Sequence, residues 1–246
     1  MRLVRFRVKD QVFSGRVEDN RVIPLEGSAP AASYSLEDVR LLPPVEPTKI
    51  VAIGLNYRDH AEEVGMPIPD LPLLFLKPPS SVIGPGDAIR LPGGVGRVDY
   101  EAELAIIIGK KATGVSREQA PGYILGYSCL NDVTARELQG RDGQWTRCKG
   151  FDTFCPLGPW VETEVDPSDL AVEAYLNDER KQSSRTSKLV FGAGQLVEFI
   201  SRIMTLEPGD VIATGTPPGI GGMKAGDRIE VRIEGIGSLV NRVEEA

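Results

Sequence analysis

The chain has 246 residues, 41 % of them hydrophobic, with a formal net charge of −7 and a sequence pI near 5.0. That is enough apolar material for a full core. The acid excess argues against non-specific nucleic-acid binding, whose footprint is a basic face, and no apolar run approaches the ~20 residues a membrane span needs. The opening residues, Met1 to Arg7, carry charge but no apolar stretch of signal-peptide length, so a cytoplasmic protein with no nucleic-acid or membrane partner is expected.

Residues 1–25 hold three short alternating runs, around Leu3–Val8, Val12–Val17 and Arg21–Leu25, separated by Lys9-Asp10 and Glu18-Asp19-Asn20. They read as a small antiparallel meander. Residues 26–34, rich in Gly, Ser, Ala and Pro, read as a linker. A short helix begins at Ser35, prolines 43, 44 and 47 end it, and a domain boundary is placed near 47, giving a 1–47 leader and a 48–246 main domain. Lys49–Gly54 is a buried strand. Asn56–Val64 is helical in composition with Gly65 as its C-terminal cap. Residues 66–72, with three prolines, form a loop that can move, and Leu73–Lys77 is a strand halted by Pro78-Pro79.

Val98 to Gly109 reads as one continuous strand. Ser116-Arg117-Glu118-Gln119 has capping-box character and starts a short helix; Tyr123–Leu130 is a further strand leading to Asp132. Residues 135–150 are polar. Leu170–Leu176 and Arg228–Ile233 read as strands, and Gly194–Met204 repeats its apolar residues at helical spacing. Pro85-Gly86-Asp87, Pro208-Gly209-Asp210 and Ala225-Gly226-Asp227 are each a tight turn feeding a strand. Many short strands, few helices and no βαβ rhythm indicate an antiparallel β-rich core and exclude a Rossmann domain.

The chemistry centres on the 98–109 strand. Side chains two apart on a strand share a face, so Glu101 and Glu103 stand together, with Ala105 and Ile107 continuing that face. At ~5 Å and an effective dielectric of ~20 their repulsion is about 3 kcal/mol before desolvation. Three arrangements offset it: one of the two is protonated, the pair faces water, or a cation lies between them with further oxygen ligands. Asp132 is the best third ligand. With one histidine, and three cysteines that lack Cys-x-x-Cys spacing, disulfides and a typical zinc site are not expected. Any metal should be a hard ion held by oxygens: magnesium, manganese or calcium. His60 and Glu63, three apart in a helix, share a face, either as a base activated by a carboxylate or as an ordinary surface pair. Lys149 reads as an anion-binding charge, an electrophilic stabiliser, a Schiff-base amine or a surface lysine. Arg136 and Gln139 fall on one face if their segment is helical and suit a substrate carboxylate. The loop Thr214–Gly222 either holds an anionic group or merely turns.

Six segments in order resemble the fumarylacetoacetate hydrolase family: Gly54-Leu55-Asn56-Tyr57-Arg58-Asp59-His60 with Glu63; Leu74-Phe75-Leu76-Lys77-Pro78; Asp99-Tyr100-Glu101-Ala102-Glu103-Leu104; Leu130-Asn131-Asp132-Val133-Thr134-Ala135-Arg136; Trp145 to Asp152; and Thr214-Gly215-Thr216-Pro217. The resemblance covers roughly residues 48 to 242, and the leader is similar to the small β-rich leader of bacterial members. It implies an α+β, mainly β fold, a mixed β-sandwich roll with few helices, in homodimers. It also implies a metal-dependent enzyme acting on 2-oxo acids through an enolate, most like 2-hydroxyhepta-2,4-diene-1,7-dioate isomerases of aromatic catabolism. Acylpyruvate or fumarylpyruvate C–C hydrolysis and oxaloacetate decarboxylation are the alternatives, and a non-catalytic binding protein with the same fold is a more remote one. By the family pattern, Glu101, Glu103 and Asp132 hold Mg²⁺ or Mn²⁺ (Ca²⁺ is a further option), Lys149 stabilises the enolate, and His60 and Glu63 lie on a lid and move a proton. Arg136, Gln139 and Thr214 or Thr216 hold substrate oxygens, and Lys77 borders the pocket.

Overall fold

The computed structural model describes residues 1–25 and 32–246. The expected 26–34 linker falls outside these except for its last three residues. The leader forms β1 (Arg2–Val8), β2 (Gln11–Glu18), β3 (Arg21–Pro24), β4 (Tyr34–Ser35) and β5 (Arg40–Leu42). The main body follows with β6 (Ile50–Gly54), α1 (Arg58–Val64), β7 (Leu73–Lys77), β8 (Val82–Ile83), β9 (Ala88–Leu91), β10 (Val98–Tyr100), β11 (Ala102–Ile108), β12 (Ile124–Asn131) and β13 (Thr134–Ala135). Then come α2 (Arg136–Asp142), α3 (Thr146–Lys149), β14 (Cys155–Glu162), β15 (Ala171–Leu176), β16 (Glu179–Arg185), α4 (Ala193–Ser201), β17 (Val211–Ala213), β18 (Gly221–Met223), β19 (Arg228–Ile233) and β20 (Gly237–Glu245). The fold is α+β and mainly β, as expected.

A twelve-stranded mixed sheet runs β4-β3-β2-β1-β14-β12-β11-β17-β6-β7, with β5 on β1 and β8 on β14. The leader meander is therefore stitched into the main sheet, through Arg2 opposite Glu162 and Leu3 opposite Val161. A five-stranded sheet, β16-β15-β19-β20-β9, lies against it. The largest core fills the space between, with Leu104, Ile106 and Cys129 from one sheet meeting Val172, Val231 and Ile233 from the other. On the opposite face of the large sheet, Ala105 and Ile107 pack with Ile50, Leu130 and Val211. The alternation along β11 thus buries both faces, which is why the strand reads as a nearly unbroken apolar run.

The three Gly-Asp turns are built alike. Each glycine has positive φ, at 77°, 89° and 91°, which a residue with a Cβ adopts at a cost. Each aspartate accepts the backbone N–H three residues back: Gly84 to Asp87 at 2.8 Å, Glu207 to Asp210 at 2.7 Å, and Lys224 to Asp227 at 2.8 Å. The strands that follow, β9, β17 and β19, sit at different places in the two large sheets.

Three expectations are corrected. The 98–109 strand breaks at Glu101: β10 leaves the large sheet and pairs with β13 and β18 instead. The Ser116 segment makes a turn, and regular structure begins only as a 3₁₀ turn at Ala120–Tyr123. The leader helix is likewise a single 3₁₀ turn, Leu36–Asp38, too short to satisfy its backbone in α form. By contrast, α1 ends at Gly65 in left-handed conformation, whose N–H caps Ala61 and Glu62 carbonyls.

Candidate active site

The site forms where the large sheet hands its strands to loops. β11 is antiparallel to β12 and β17, so its first residues lie beside the ends of both. That places Glu103 on β11, Asp132 just past β12 and Gly215 just past β17 close together. The break at Glu101 has a local cause. Its N–H is taken by the side-chain oxygen of Asn131 at 2.9 Å, and its carbonyl accepts the Asp132 N–H at 2.9 Å. Both backbone groups are satisfied outside a regular ladder, which frees the carboxylate to swing beside its neighbours.

Glu101, Glu103 and Asp132 are all buried, and each offers an oxygen within 4.8 Å of the other two. Lys149, the last residue of α3 and 2 % exposed, donates to Glu101 Oε2 at 2.8 Å and Asp132 Oδ2 at 2.6 Å. Arg136, at the start of α2, donates to Asp99 Oδ2 at 2.8 Å and also to Glu101; its fork suits this double pairing. Burial on its own would raise the Glu101 carboxyl, but Lys149 and Arg136 outweigh it and hold the pKa down to about 2. Glu103 has the opposite fate. Burial, then the charges of Asp132 and Glu101, push its pKa well above 4.5; the Lys149 charge and the Gly215 N–H at 2.7 Å oppose them without prevailing. Burial disfavours the Lys149 ammonium, yet Asp132 and Glu101 more than offset that and raise its pKa. Lys149 is therefore a cation at neutral pH, which speaks against a Schiff-base amine.

The carboxylates fit a hard divalent ion. The donor set is all oxygen. Asp132 Oδ1 is buried without a hydrogen-bond donor. Lys77 Nζ lies 2.6 Å from that oxygen, a charge contact off the hydrogen-bonding direction that leaves a lone pair unused. Glu103, unlike Asp132, makes no ion pair among the described residues.

A cavity of about 460 Å³ opens over the carboxylates, lined also by His60, Arg136, Gln139, Lys149 and Thr216. His60 Nδ1 and Glu63 Oε2 are 2.9 Å apart. Their helix is tied down at both ends of this face, by the Gly219 N–H on Glu63 Oε1 at 3.1 Å and by Ser184 on Asp59. Gln139 accepts from Arg136, so the segment is helical and the two side chains do share a face. Thr216 Oγ1 donates to the Ala102 carbonyl at 3.0 Å and accepts from Gln182 at 2.8 Å. Two of the residues named from sequence stand elsewhere. Thr214 turns its hydroxyl to the Leu104 carbonyl at 2.9 Å and is not part of this cavity's lining. Lys77, 1 % exposed, is spent on Asp132 and the Lys149 and Val133 carbonyls behind the site.

Sequence reasoning did not single out Asp99, Asn131 or Gly215 as parts of the site. Asp99 is fully buried and clamps Arg136 and Arg97. Its place two residues before Glu101 was the available signal. Gly215 has φ of 96°, and a Cβ there would stand 2.9 Å from the Asn56 Cβ. Only glycine lets that N–H reach Glu103 without strain. The apolar lining, including Phe75 and Trp145, comes from distant segments and had no local signature.

A mainly β sandwich carrying a buried three-carboxylate cluster with an adjacent lysine, open to a cavity, defines a class of oxygen-ligand metal sites suited to polarising a substrate oxygen. Comparison with known proteins narrows this. The model for the fumarylacetoacetate (FAA) hydrolase C-terminal domain matches residues 49–244, and that for the Rv2993c-like N-terminal domain matches residues 1–44. The chain belongs to the fumarylacetoacetate hydrolase family. An uncharacterized protein of Archaeoglobus fulgidus is 51 % identical over 240 residues, covering 97 % of this chain and 94 % of the relative. The crystal structure of 5-carboxymethyl-2-hydroxymuconate delta-isomerase from Mycobacterium smegmatis matches with a TM-score of 0.94 at 45 % identity, over 100 % of this chain and 99 % of the other. Maleylpyruvate hydrolase from Sphingobium sp. SYK-6, crystallised with manganese(II) and pyruvate, matches with a TM-score of 0.86 at 35 % identity over the whole of both chains. The family therefore spans isomerases and hydrolases, one relative holding a divalent metal. Among the described residues no helix is long and apolar enough to cross a membrane.

Proposed function

We propose that this chain is a divalent-metal-dependent enzyme that stabilises the enolate of a 2-oxo acid, and that its main reaction is hydrolytic C–C cleavage of acylpyruvate-type 2,4-dioxo acids. The observation that carries the reading is the convergence of Glu101, Glu103 and Asp132 around the buried Lys149 at the base of a cavity. Those three carboxylates would hold Mg²⁺ or Mn²⁺, which when bound supplies Lewis-acid polarisation of the 2-oxo oxygen. Charge supports an anionic substrate. Asp99, Glu101, Glu103 and Asp132 are matched by Arg97, Arg136, Lys77 and Lys149, so a divalent ion leaves a positive surplus.

The chain's own groups do the rest. The Lys149 ammonium stabilises negative charge developing on the substrate. Arg136, through Asp99 and Glu101, keeps the Glu101 carboxylate ionised and oriented. His60, its ring fixed by Glu63, takes a proton from water at the cavity wall. Thr216 and Gln139 border the space for substrate oxygens. The His60–Glu63 pair favours hydrolysis, which needs an activated water most directly, over the isomerisation expected first from sequence. Isomerisation remains the second reading, supported by the 45 % identical isomerase from M. smegmatis. Product mass separates them: incubation of 2,4-dioxo acids and hydroxymuconate-type dienoates with Mg²⁺ is expected to split the former into pyruvate and a carboxylic acid, whose masses sum to substrate plus one water. Conversion of the dienoate at unchanged mass, with no cleavage of any dioxo acid, would overturn the hydrolase assignment.

A further inference from the structure

The cavity is polar at its base and apolar beyond it. Away from the carboxylates its walls are Leu55, Met66, Leu73, Phe75, Trp145 and Ile220. Phe75 and Trp145 meet edge to face, with centroids 5.1 Å apart at 70°, a favoured geometry for two aromatic rings. The wall is closely fitted. A Cβ on Gly54 would stand 2.6 Å from Trp145 Cζ3 and 2.8 Å from Cη2, so the indole rests on a position where only glycine leaves room. Among the described residues, the basic side chains lining the cavity are Arg136 and Lys149, apart from His60. Arg136 is committed to Asp99, Glu101 and Gln139, Lys149 to Glu101 and Asp132, and the His60 ring to Glu63.

We propose that the substituent beyond the 2-oxo acid head is an uncharged alkyl or aryl group packed on the Trp145–Phe75 wall, and that a carboxylate there is selected against. The inference rests on the reading above that the carboxylate end takes the 2-oxo acid head. It adds the substrate class: neutral acylpyruvates rather than dicarboxylic ones such as a dienedioate. An apolar chain leaving water for this wall gains roughly fourfold in affinity per buried methylene. A carboxylate in the same place is desolvated, and the ammonium next to this wall, Lys149 at 5.1 Å from the Phe75 ring centroid, is already paired with Glu101 and Asp132; the site's discrimination against it should be on the order of 100-fold.

The test is calorimetric titration of the full chain loaded with Mn²⁺. The probes are oxamate, which mimics the 2-oxo acid head alone, and the matched pair N-pentyloxamate and N-(4-carboxybutyl)oxamate, which differ only in whether the chain ends in methyl or carboxylate. N-Pentyloxamate should bind roughly 100-fold more tightly than its carboxylated twin, and Trp145→Ala should shrink that ratio at least tenfold. Equal or tighter binding of the carboxylated probe, with oxamate binding still Mn²⁺-dependent, overturns the distal-group inference and leaves the 2-oxo acid reading standing. Absence of Mn²⁺-dependent oxamate binding refutes that reading, and this inference with it.

Discussion

Glu103→Gln is the most revealing single change. The side chain is isosteric, and its amide oxygen can still accept the Gly215 N–H now 2.7 Å from Glu103. What is lost is a buried charge whose oxygen lies within 4.8 Å of Glu101 and Asp132 oxygens. At that separation and an effective dielectric of ~20, each repulsion is about 3 kcal/mol. The two sum to about 6 kcal/mol, and one Lys149 charge at comparable range cancels about half, leaving a net relief of about 3 kcal/mol in the metal-free protein at pH values above the raised Glu103 pKa. For a chain of this size that raises Tm by roughly 6–12 °C. The wild type should respond to metal instead. At a hundredfold excess over Kd, binding adds about 2.7 kcal/mol, or roughly 5–10 °C, and the variant should lose most of that response. The pH dependence has a definite sign. Because the folded Glu103 pKa is raised above 4.5, its contribution to stability is full below 4.5 and is lost as pH rises through the raised value. Glu101, held down to about 2, contributes above 4.5 and loses that as pH falls toward 2. Melting curves with chelator and with Mg²⁺, from pH 2 to 9, read all of this. A Glu103→Gln protein that is less stable without metal, and still gains the full wild-type shift with it, would mean that Glu103 is neither a repelling charge nor a metal ligand.

Three other expectations follow from the geometry. His60→Ala should lower kcat for C–C cleavage by about 10²–10⁴ while keeping the metal-induced Tm shift; an unchanged kcat on every cleaved substrate would remove His60 from the chemistry. Each hydroxyl bonds a backbone carbonyl, so Thr216→Val and Thr214→Val should each cost about 1 kcal/mol or more, but only Thr216→Val should also raise KM; a KM effect confined to Thr214→Val would mean the wrong threonine faces the substrate. Asp210, which accepts from Thr48, Lys49 and Glu207, has its pKa lowered because Lys49 and these donors outweigh burial. Asp210→Asn should cost about 2–3 kcal/mol at pH 7, and the gap in Tm should close as pH falls below 3.8. A gap independent of pH would contradict that.

The face shared by Glu103, Ala105 and Ile107 was legible because strand parity is local, and the structure buries Ala105 and Ile107 in one core as parity requires. The three Gly-Asp turns were legible for the same reason, since each is closed within four residues. What local pattern does not carry is capture of one segment's backbone by another's side chain. The break at Glu101 depends on Asn131, thirty residues away, and nothing near Glu101 signals it. Direction is equally hidden. Lys77 and Thr214 were named for the substrate pocket, but a lysine's reach lets it turn toward Asp132, and a threonine's hydroxyl bonds a backbone carbonyl as readily as a ligand. The Trp145–Phe75 wall over Gly54 joins three segments through packing alone. The ordered motifs did anticipate which residues converge at the base of the cavity, because those residues occupy the ends of neighbouring strands and the helices beside them.

If Glu101, Glu103 and Asp132 hold a divalent ion beside Lys149, the site should make a 2-oxo acid enolise. Exchange of the pyruvate methyl protons with D₂O, followed by proton NMR with Mg²⁺ and with chelator, tests it without reference to the distal group or to the fate of the enolate. Exchange should be Mg²⁺-dependent and fall at least 100-fold in Glu101→Gln and in Lys149→Met. Exchange that survives chelation or either substitution would contradict it, as would no exchange from a protein shown by calorimetry to bind Mg²⁺.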